Sequence, residues 1–266
     1  MRRLKELSLP QGRKDSSMLL LEGTHLLQEI IRVGRNPSEL ILTEQWAQKN
    51  NDLMQRFTEN IRITKVTAEV LQSSLTTKNP DGVASLLPFT ALPKEHNDAD
   101  FILALDRLQD PGNLGTIFRN ALAAEIGMVW IALGADPFGQ KALRASAGAI
   151  LELPFSRFAN SEESAINKLA KKLELAYING YQVIASCVPS ARMPLQVTPY
   201  WEIDWQKPTV LVLGNEGNGL HPKIQACCSC GVTLPHSNAV QSLNVASASV
   251  PLMLERYRAK ITSSKV

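Results

Sequence analysis

The chain predicts an α/β protein: a parallel sheet covered by helices on both faces, preceded by a smaller α/β unit. Beyond residue 100, the runs FILAL, MVWIAL, QVIAS and TVLVLG alternate with helical patterns that start near Leu114 and recur over 141–150 and 162–177. These runs are predominantly apolar, as strands buried on both faces are. Before residue 90 the same alternation recurs in shorter segments. Between the two, TALPKEHNDAD is polar and follows a proline, which marks 90–99 as a linker. The expected division is therefore 1–89, a linker at 90–99, and 100–266.

In the front region MLLLEG reads as a strand, and Thr24 can cap the helix in which Leu26, Leu27, Ile30 and Ile31 fall at helical spacing. ELILTE, IRITKV and GVASLLPF suit strands, separated by helical patterns over 46–57 and 68–75.

A chain of 266 residues is long enough for one or two domains with a sizeable core. Its net charge of +3 is concentrated: residues 1–35 hold seven Lys or Arg against four Asp or Glu, and that difference of three equals the whole excess. Such an end can attract a polyphosphate partner, although a short charged arm is more often simply solvated. No apolar run is long enough to span a bilayer, and the start lacks the charged, apolar, small-residue order of an export signal, so a cytoplasmic protein is expected. Of the four cysteines, Cys227 and Cys230 form one C-x-x-C without a second pair. A structural zinc would need two more ligands, such as the nearby His221 and His236; burial as small hydrophobes is expected instead, with no metal.

After the apolar run at 209–213 the chain reads GNEGNGL. Gly214, Gly217 and Gly219 stand in the reverse of the dinucleotide-binding spacing, and no Gly-Lys-Ser or Gly-Lys-Thr follows. Taken alone, the stretch is a tight turn after a buried strand. In parallel sheets, however, ligands bind outside the carboxyl ends of the strands. Three loops rich in polar residues sit at such ends: DRLQDPGNLGTIFRN, GNEGNGL and LPHSNAVQSLNVASASV.

In this order, DPGNLGTIFRNA, LVLGNEGNGL and LPHSNAVQSLNVASAS resemble the signature motifs of the SpoU, or TrmH-like, RNA ribose methyltransferases of the SPOUT superfamily. KALRASAGAILELPF is similar to the stretch between the first two motifs, and the likeness spans about residues 100–257. More loosely, LLLEGTHLLQEI and TTKNPDGVASLLP resemble the ribosomal-protein-like substrate-binding domain often attached to that unit. The resemblance implies a carboxyl-terminal deep trefoil knot, an exception to the usual avoidance of threading. It implies S-adenosylmethionine as cofactor, held by Leu213, Gly214, Asn215, Gly217, Leu234 and Leu243, with the leucines at apolar strand ends. It implies Arg119, Asn113, Glu216, Ser242 and Asn244 as the catalytic set, a homodimer, and RNA as substrate. Ribosomal RNA is expected, with transfer RNA or an inactive RNA-binding relative as alternatives.

The chemistry needs orientation, removal of a ribose hydroxyl proton and help for the developing alkoxide. The arginine matching Arg119 has been proposed as the base in the family. A guanidinium resists deprotonation, with a pKa above about 12, so positioning phosphate and stabilising alkoxide is its minimum role. Departures from the family pattern are His236 and Asn238, where Met and Gly are usual, Gln241 where an acid is common, and Pro251 inside the last helical segment, where it should kink the helix or shift its packing.

Overall fold

The computed structural model describes residues 2–57, 61–96, 98–158, 161–188 and 195–263. It divides into two compact units: unit 1 comprises Met1–Pro93 and Asp136–Glu152, and unit 2 comprises Lys94–Ala135 and Leu153–Val266.

In chain order, unit 1 begins with α1 (Arg2–Leu7), α2 (Pro10–Ser16), β1 (Met18–Glu22), α3 (Thr24–Arg32) and β2 (Glu39–Leu42). It continues through α4 (Glu44–Lys49), α5 (Asn51–Met54), β3 (Arg62–Lys65), α6 (Ala68–Ser74) and β4 (Val83–Pro88). Unit 2 then supplies β5 (Phe101–Leu105), α7 (Pro111–Ala123) and β6 (Met128–Ile131), before the chain returns to unit 1 for α8 (Gln140–Ser146). The remainder of unit 2 is β7 (Phe155–Arg157), α9 (Glu162–Ile178), β8 (Gln182–Ser186), β9 (Val197–Pro199), β10 (Thr209–Leu213), α10 (Pro222–Ala226), β11 (Cys230–Thr233) and α11 (Val245–Ser263).

The four strands of unit 1 run in the order β1-β4-β2-β3, with only β2 and β3 paired in parallel. Leu20, Ile41, Ala84 and Leu86 from the sheet meet Leu4 and Leu7 of α1 and Leu71 of α6. The amino-terminal segment is thus a packed part of the core, and much of its charge is internally paired. Arg2 bridges to Glu6, Arg3 to Glu39, and Arg32 to Glu29 and Glu152; the buried Arg13 bonds Asp136 and the carbonyls of Leu7 and Ser8. Gln140 donates to the Leu20 carbonyl at 2.8 Å, and Phe138 stacks on Phe89 with centroids 5.2 Å apart. These contacts are why 136–152, which lies between two strands of unit 2 in sequence, folds with unit 1.

Unit 2 is built on a seven-stranded sheet, β7-β6-β5-β10-β8-β11-β9, in which every pairing is parallel. The central strands β5 and β10 are buried at all five positions, as their uninterrupted apolar sequences require. Leu105 and Leu213, the last residues of β5 and β10, are register partners. Parallel pairing therefore delivers the loops after these strands to one edge.

Several elements differ from the sequence reading. The pattern over 46–57 is two helices broken at Asn50. The helix over 141–150 stops at Ser146, because Ala147 and Gly148 take φ of 48° and 90°. The three-residue strands β7 and β9 are too short to show a period, and Cys-Gly-Val-Thr in β11 lacks the expected apolar run. Pro251 lies inside α11, which is continuous from Val245 to Ser263; the Ser247 carbonyl there has no N–H four residues on to receive.

Gly134, in unit 2, takes φ of 118°, and a Cβ there would stand 2.0 Å from the Leu108 carbonyl oxygen, just where residues 108 and 134 bridge. Gly134→Ala should destabilise the protein by at least about 2 kcal/mol, read as a lowered melting temperature by calorimetry. An unchanged transition would show that this approach is not tight.

Candidate functional site

The turn after β10 closes on itself. Asn215 and Gly219 exchange backbone hydrogen bonds at 3.0 Å in both directions, and Gly219 takes φ of 65°. A Cβ on Gly214 would lie 2.6 Å from the Gly219 carbonyl carbon and 2.7 Å from the Leu220 nitrogen. Glycine at 214 is thus required first by the turn itself. The Asn215 side chain is committed as well: its Oδ1 accepts from Gly217 N and Asn218 N, and its Nδ2 donates to the Arg107 carbonyl.

That last bond joins the turn to the loop after β5. Asp106, fully buried, accepts from Arg107 Nε at 2.9 Å and from the His221 backbone N–H at 2.6 Å. Arg107, at φ of 56°, also reaches Glu162. Asp106 and Arg107 were not among the sequence candidates, although Asp106 opens the first polar loop. Their work is to fix the loops, a role no motif spacing announces.

On this frame the polar candidates meet. Glu216 accepts from Gln109 N at 3.2 Å, Asp110 N at 3.3 Å and Asn113 Nδ2 at 3.1 Å. Asn113 Oδ1 accepts from Asn244 Nδ2 at 3.0 Å, and Asn244 Oδ1 accepts from Ala246 N and Ser247 N at the start of α11. A carboxylate only accepts, so one direction of donation runs through both amides without conflict. Partial burial pushes the Glu216 carboxyl up, but the bonds it receives from backbone and from Asn113 outweigh that and hold it below the ordinary glutamate range. The Asn113 backbone N–H is itself satisfied by Asp110, the amino-terminal cap of α7.

Beside this array lies a cavity of about 560 Å³ in unit 2. Leu213, Gly214, Asn215, Glu216, Gly217, Leu234, Ser242, Leu243 and Asn244 all line it. So do Ser186, Cys187, Gln225 and Val245, which the sequence did not single out. Leu213 and Leu234 end or follow strands as expected, but Leu243 does not: it lies in the loop before α11 and is 42% exposed. Asn113 reaches the cavity only through Glu216 and Asn244. Arg119 is not among the lining residues; it is exposed on α7, with no hydrogen-bond or ion-pair partner among the described residues.

Cys187 is half-buried against the cavity, and burial pushes its thiol up to about 11, so it stands there as a neutral thiol. His236 places Nδ1 2.7 Å from the Leu234 carbonyl oxygen, so that nitrogen carries the proton and a neutral ring keeps Nε2 as an acceptor. Among the described residues, no group of three or more His, Cys, Asp or Glu is placed to hold a metal, and no helix is long and apolar enough to cross a membrane.

A parallel α/β sheet with a closed glycine turn, a polar array and a cavity at the carboxyl ends of its strands defines a ligand-binding α/β protein. Residues 100–253 match the SpoU rRNA Methylase family, and residues 1–85 match the MRM3-like substrate binding domain. The chain belongs to the SpoU rRNA methylase family. It is 37% identical over 268 residues, 99% of this chain and 92% of the relative, to an uncharacterised tRNA/rRNA methyltransferase of Synechocystis sp.. It is 26% identical, over 94% of this chain and 92% of the relative, to RlmP of Bacillus subtilis, a 23S rRNA (guanosine(2553)-2'-O)-methyltransferase. The fold is shared with the AdoMet-bound rRNA methyltransferase of Sinorhizobium meliloti, at a TM-score of 0.78 and 24% identity over 97% of this chain and 93% of that one. It is also shared with the SpoU methyltransferase AviRb of Streptomyces viridochromogenes in complex with AdoMet, at a TM-score of 0.78 and 21% identity over 98% of each chain.

Each hydrogen bond donated to the Glu216 carboxylate favours its ionised form, so removing one should move its titration upward. By carboxyl-resolved NMR, Glu216 should titrate below an ordinary glutamate in the parent protein and higher in Asn113→Ala. The support this carboxylate gives the loops should be complete above the unfolded-state value of about 4.3 and be lost as pH falls through its lower folded value. An unmoved midpoint in Asn113→Ala would mean that the Asn113–Glu216 bond does not form in solution.

Proposed function

We propose that this protein transfers a methyl group from S-adenosylmethionine to a ribose 2′-hydroxyl of RNA, with ribosomal RNA as the substrate class. The observation that carries the reading is the character of the cavity wall. Among the described lining residues there is one carboxylate, Glu216, and no lysine or arginine. Such a wall is poorly suited to a dinucleotide pyrophosphate and well suited to a cationic sulfonium joined to an uncharged nucleoside. Leu213, Leu234, Leu243 and Val245 provide apolar contact for a base, and the backbone of 214–219 and Asn244 lie beside them. The volume, about 560 Å³, falls in the range of ligand pockets. The residues present therefore fit the cofactor that the AdoMet-bound relatives carry.

When bound, S-adenosylmethionine supplies an activated methyl that needs no metal. The chain's own residues supply the rest. Glu216, Asn113 and Asn244 hold the two loops and the start of α11 in one polar array, which fixes the cavity rim. Arg119, exposed and without a partner among the described residues, is available to hold an RNA phosphate and to stabilise the alkoxide, while its persistent charge argues against a role as base. The same reading includes a carboxyl-terminal knot, cytoplasmic residence and a division of labour in which unit 1 recognises RNA. It also includes a homodimer. The turn Tyr200–Glu202 packs against α11, and Trp201 on the turn and Leu254 and Ile261 on the helix are 55%, 42% and 44% exposed. Apolar surface of this kind is what a second copy would cover.

Calorimetric titration should show S-adenosylmethionine binding and no NAD binding; the reverse would defeat the proposal. Arg119→Ala and Arg119→Lys should keep cofactor affinity but lose on the order of 10²-fold or more in single-turnover methylation at saturating RNA. Near-native turnover in Arg119→Ala would exclude Arg119 from the chemical step. Light scattering should give twice the chain mass of 29.2 kDa; a fully active monomer at micromolar concentration would remove the dimer.

A further inference from the structure

We infer that unit 1 holds a preformed pocket for one unstacked nucleotide of the RNA, and that the segment 136–152 completes it through Arg144. This rests on the RNA reading above and deepens it by naming the residues of unit 1 that would touch RNA.

A hollow of about 330 Å³ lies between the turn after β1 and the loop leading into β4. Leu26, Leu75 and Pro80 give it apolar surface, and His25, Asn79 and Asp81 add hydrogen-bonding groups. A second hollow of about 220 Å³ shares Thr24, Pro80 and Asp81 with it and is lined by Trp46 and Lys49.

The walls are fixed from within. The Glu22 carboxylate, with a side chain only 1% exposed, accepts from the backbone N–H and hydroxyl groups of both Thr76 and Thr77. Asp81 accepts from Thr24 N at 2.8 Å, and Trp46 Nε1 donates to Thr24 Oγ1 at 2.7 Å. Gly82, at φ of 109°, brings its Cα so close to Trp46 that a Cβ would stand 2.8 Å from the Trp46 Cβ. Little conformational freedom remains for a ligand to remove.

Arg144 comes from α8, far along the chain. One terminal nitrogen is anchored near Glu22 at 3.5 Å and on the hydroxyls of Thr76 and Thr77 at 3.3 and 3.2 Å. Its Nε and other terminal nitrogen have no acceptor among the described residues, and the side chain is 43% exposed. An anchored guanidinium with free donors is suited to a phosphate oxygen. Beside it, an apolar floor with polar groups at its edge is suited to a base, whose faces are apolar and whose edge makes hydrogen bonds. The hollow is too small for a duplex, and single-stranded RNA presents bases that can be splayed out in this way.

On this reading the segment 136–152, held in unit 1 by its contacts with Arg13, Leu20 and Phe89, carries the phosphate-binding arm of the pocket. A fragment ending at residue 93 would lack that arm.

The test uses the full-length protein and deproteinised ribosomal RNA at fixed salt, since phosphate contacts are salt-dependent. Affinities of the parent, Arg144→Ala, Arg144→Lys and His25→Ala are compared, and S-adenosylmethionine binding is measured separately. Arg144→Ala should weaken RNA binding roughly tenfold or more, Arg144→Lys should recover part of the loss, and His25→Ala should weaken it less. Cofactor affinity should not move. Ultraviolet cross-links to RNA should fall in peptides covering 22–26, 75–82 and 140–146. Parent-like RNA binding by both Arg144→Ala and His25→Ala, or cross-links confined to unit 2, would overturn the pocket while leaving RNA as the substrate. A parent protein that does not bind ribosomal RNA at all would defeat the substrate reading and the pocket with it.

Discussion

The buried carboxylate of Asp106 is the constraint on which the site of unit 2 depends. It sits directly after β5, takes Arg107 as its ion-pair partner and accepts the backbone N–H of His221, at the exit of the glycine turn. A charge removed from water must be compensated, and breaking such a pair costs about 3–5 kcal/mol. The loops after β5 and β10 are therefore held to one arrangement. Asn215 reinforces it from the other side by donating to the Arg107 carbonyl. The positive φ of Arg107 is the local strain that this network sustains.

Given that frame, the polar array follows with little freedom. Glu216 can accept from the first turn of α7 only because the glycine turn is closed and aimed there. The run from Asn244 through Asn113 to Glu216 then orients both amides unambiguously. Ser242 has no such engagement among the described residues, and with Leu243 it lines the cavity from an exposed loop. The most rigid part of the site is thus the meeting of the first two motifs, and the third approaches it through the cap of α11. Arg119 stands apart from the array, as a group would if its partner were brought by a substrate and not by the protein.

Unit 1 shows the same principle on a smaller scale. Glu22 fixes the loop at Thr76 and Thr77 as Asp106 fixes the turn, in both cases a buried carboxylate at the end of a strand. The paired arginines of the amino-terminal segment alter the reading of its charge. Arg3 and Arg13 pair with Glu39 and Asp136, acids that lie outside residues 1–35 but inside the unit, so the formal excess of that segment overstates its free charge. Which charges stay exposed is set by tertiary position, as at Arg144 with its side chain 43% exposed, and not by the density of charge along the chain.

The sequence by itself marked four strands of unit 2, β5, β6, β8 and β10, because their apolar runs suit parallel strands buried on both faces, while β7, β9 and β11 carry no such run. It also marked the three loops that meet beside the cavity, since Gly214, Asn113 and Asn244 stand in spaced motifs. It could not assign the reasons. Glycine at 214 is needed because the turn folds back on its own backbone, a contact between residues that only closure brings together. Asp106 and Glu22 look like ordinary loop and strand carboxylates until their burial is known, and burial is a property of the packed chain. Nor could the sequence show that 136–152 leaves the sheet unit to fold with the first. That was decided by tertiary partners of Asp136, Gln140 and Arg144 more than fifty residues away, which no local period encodes.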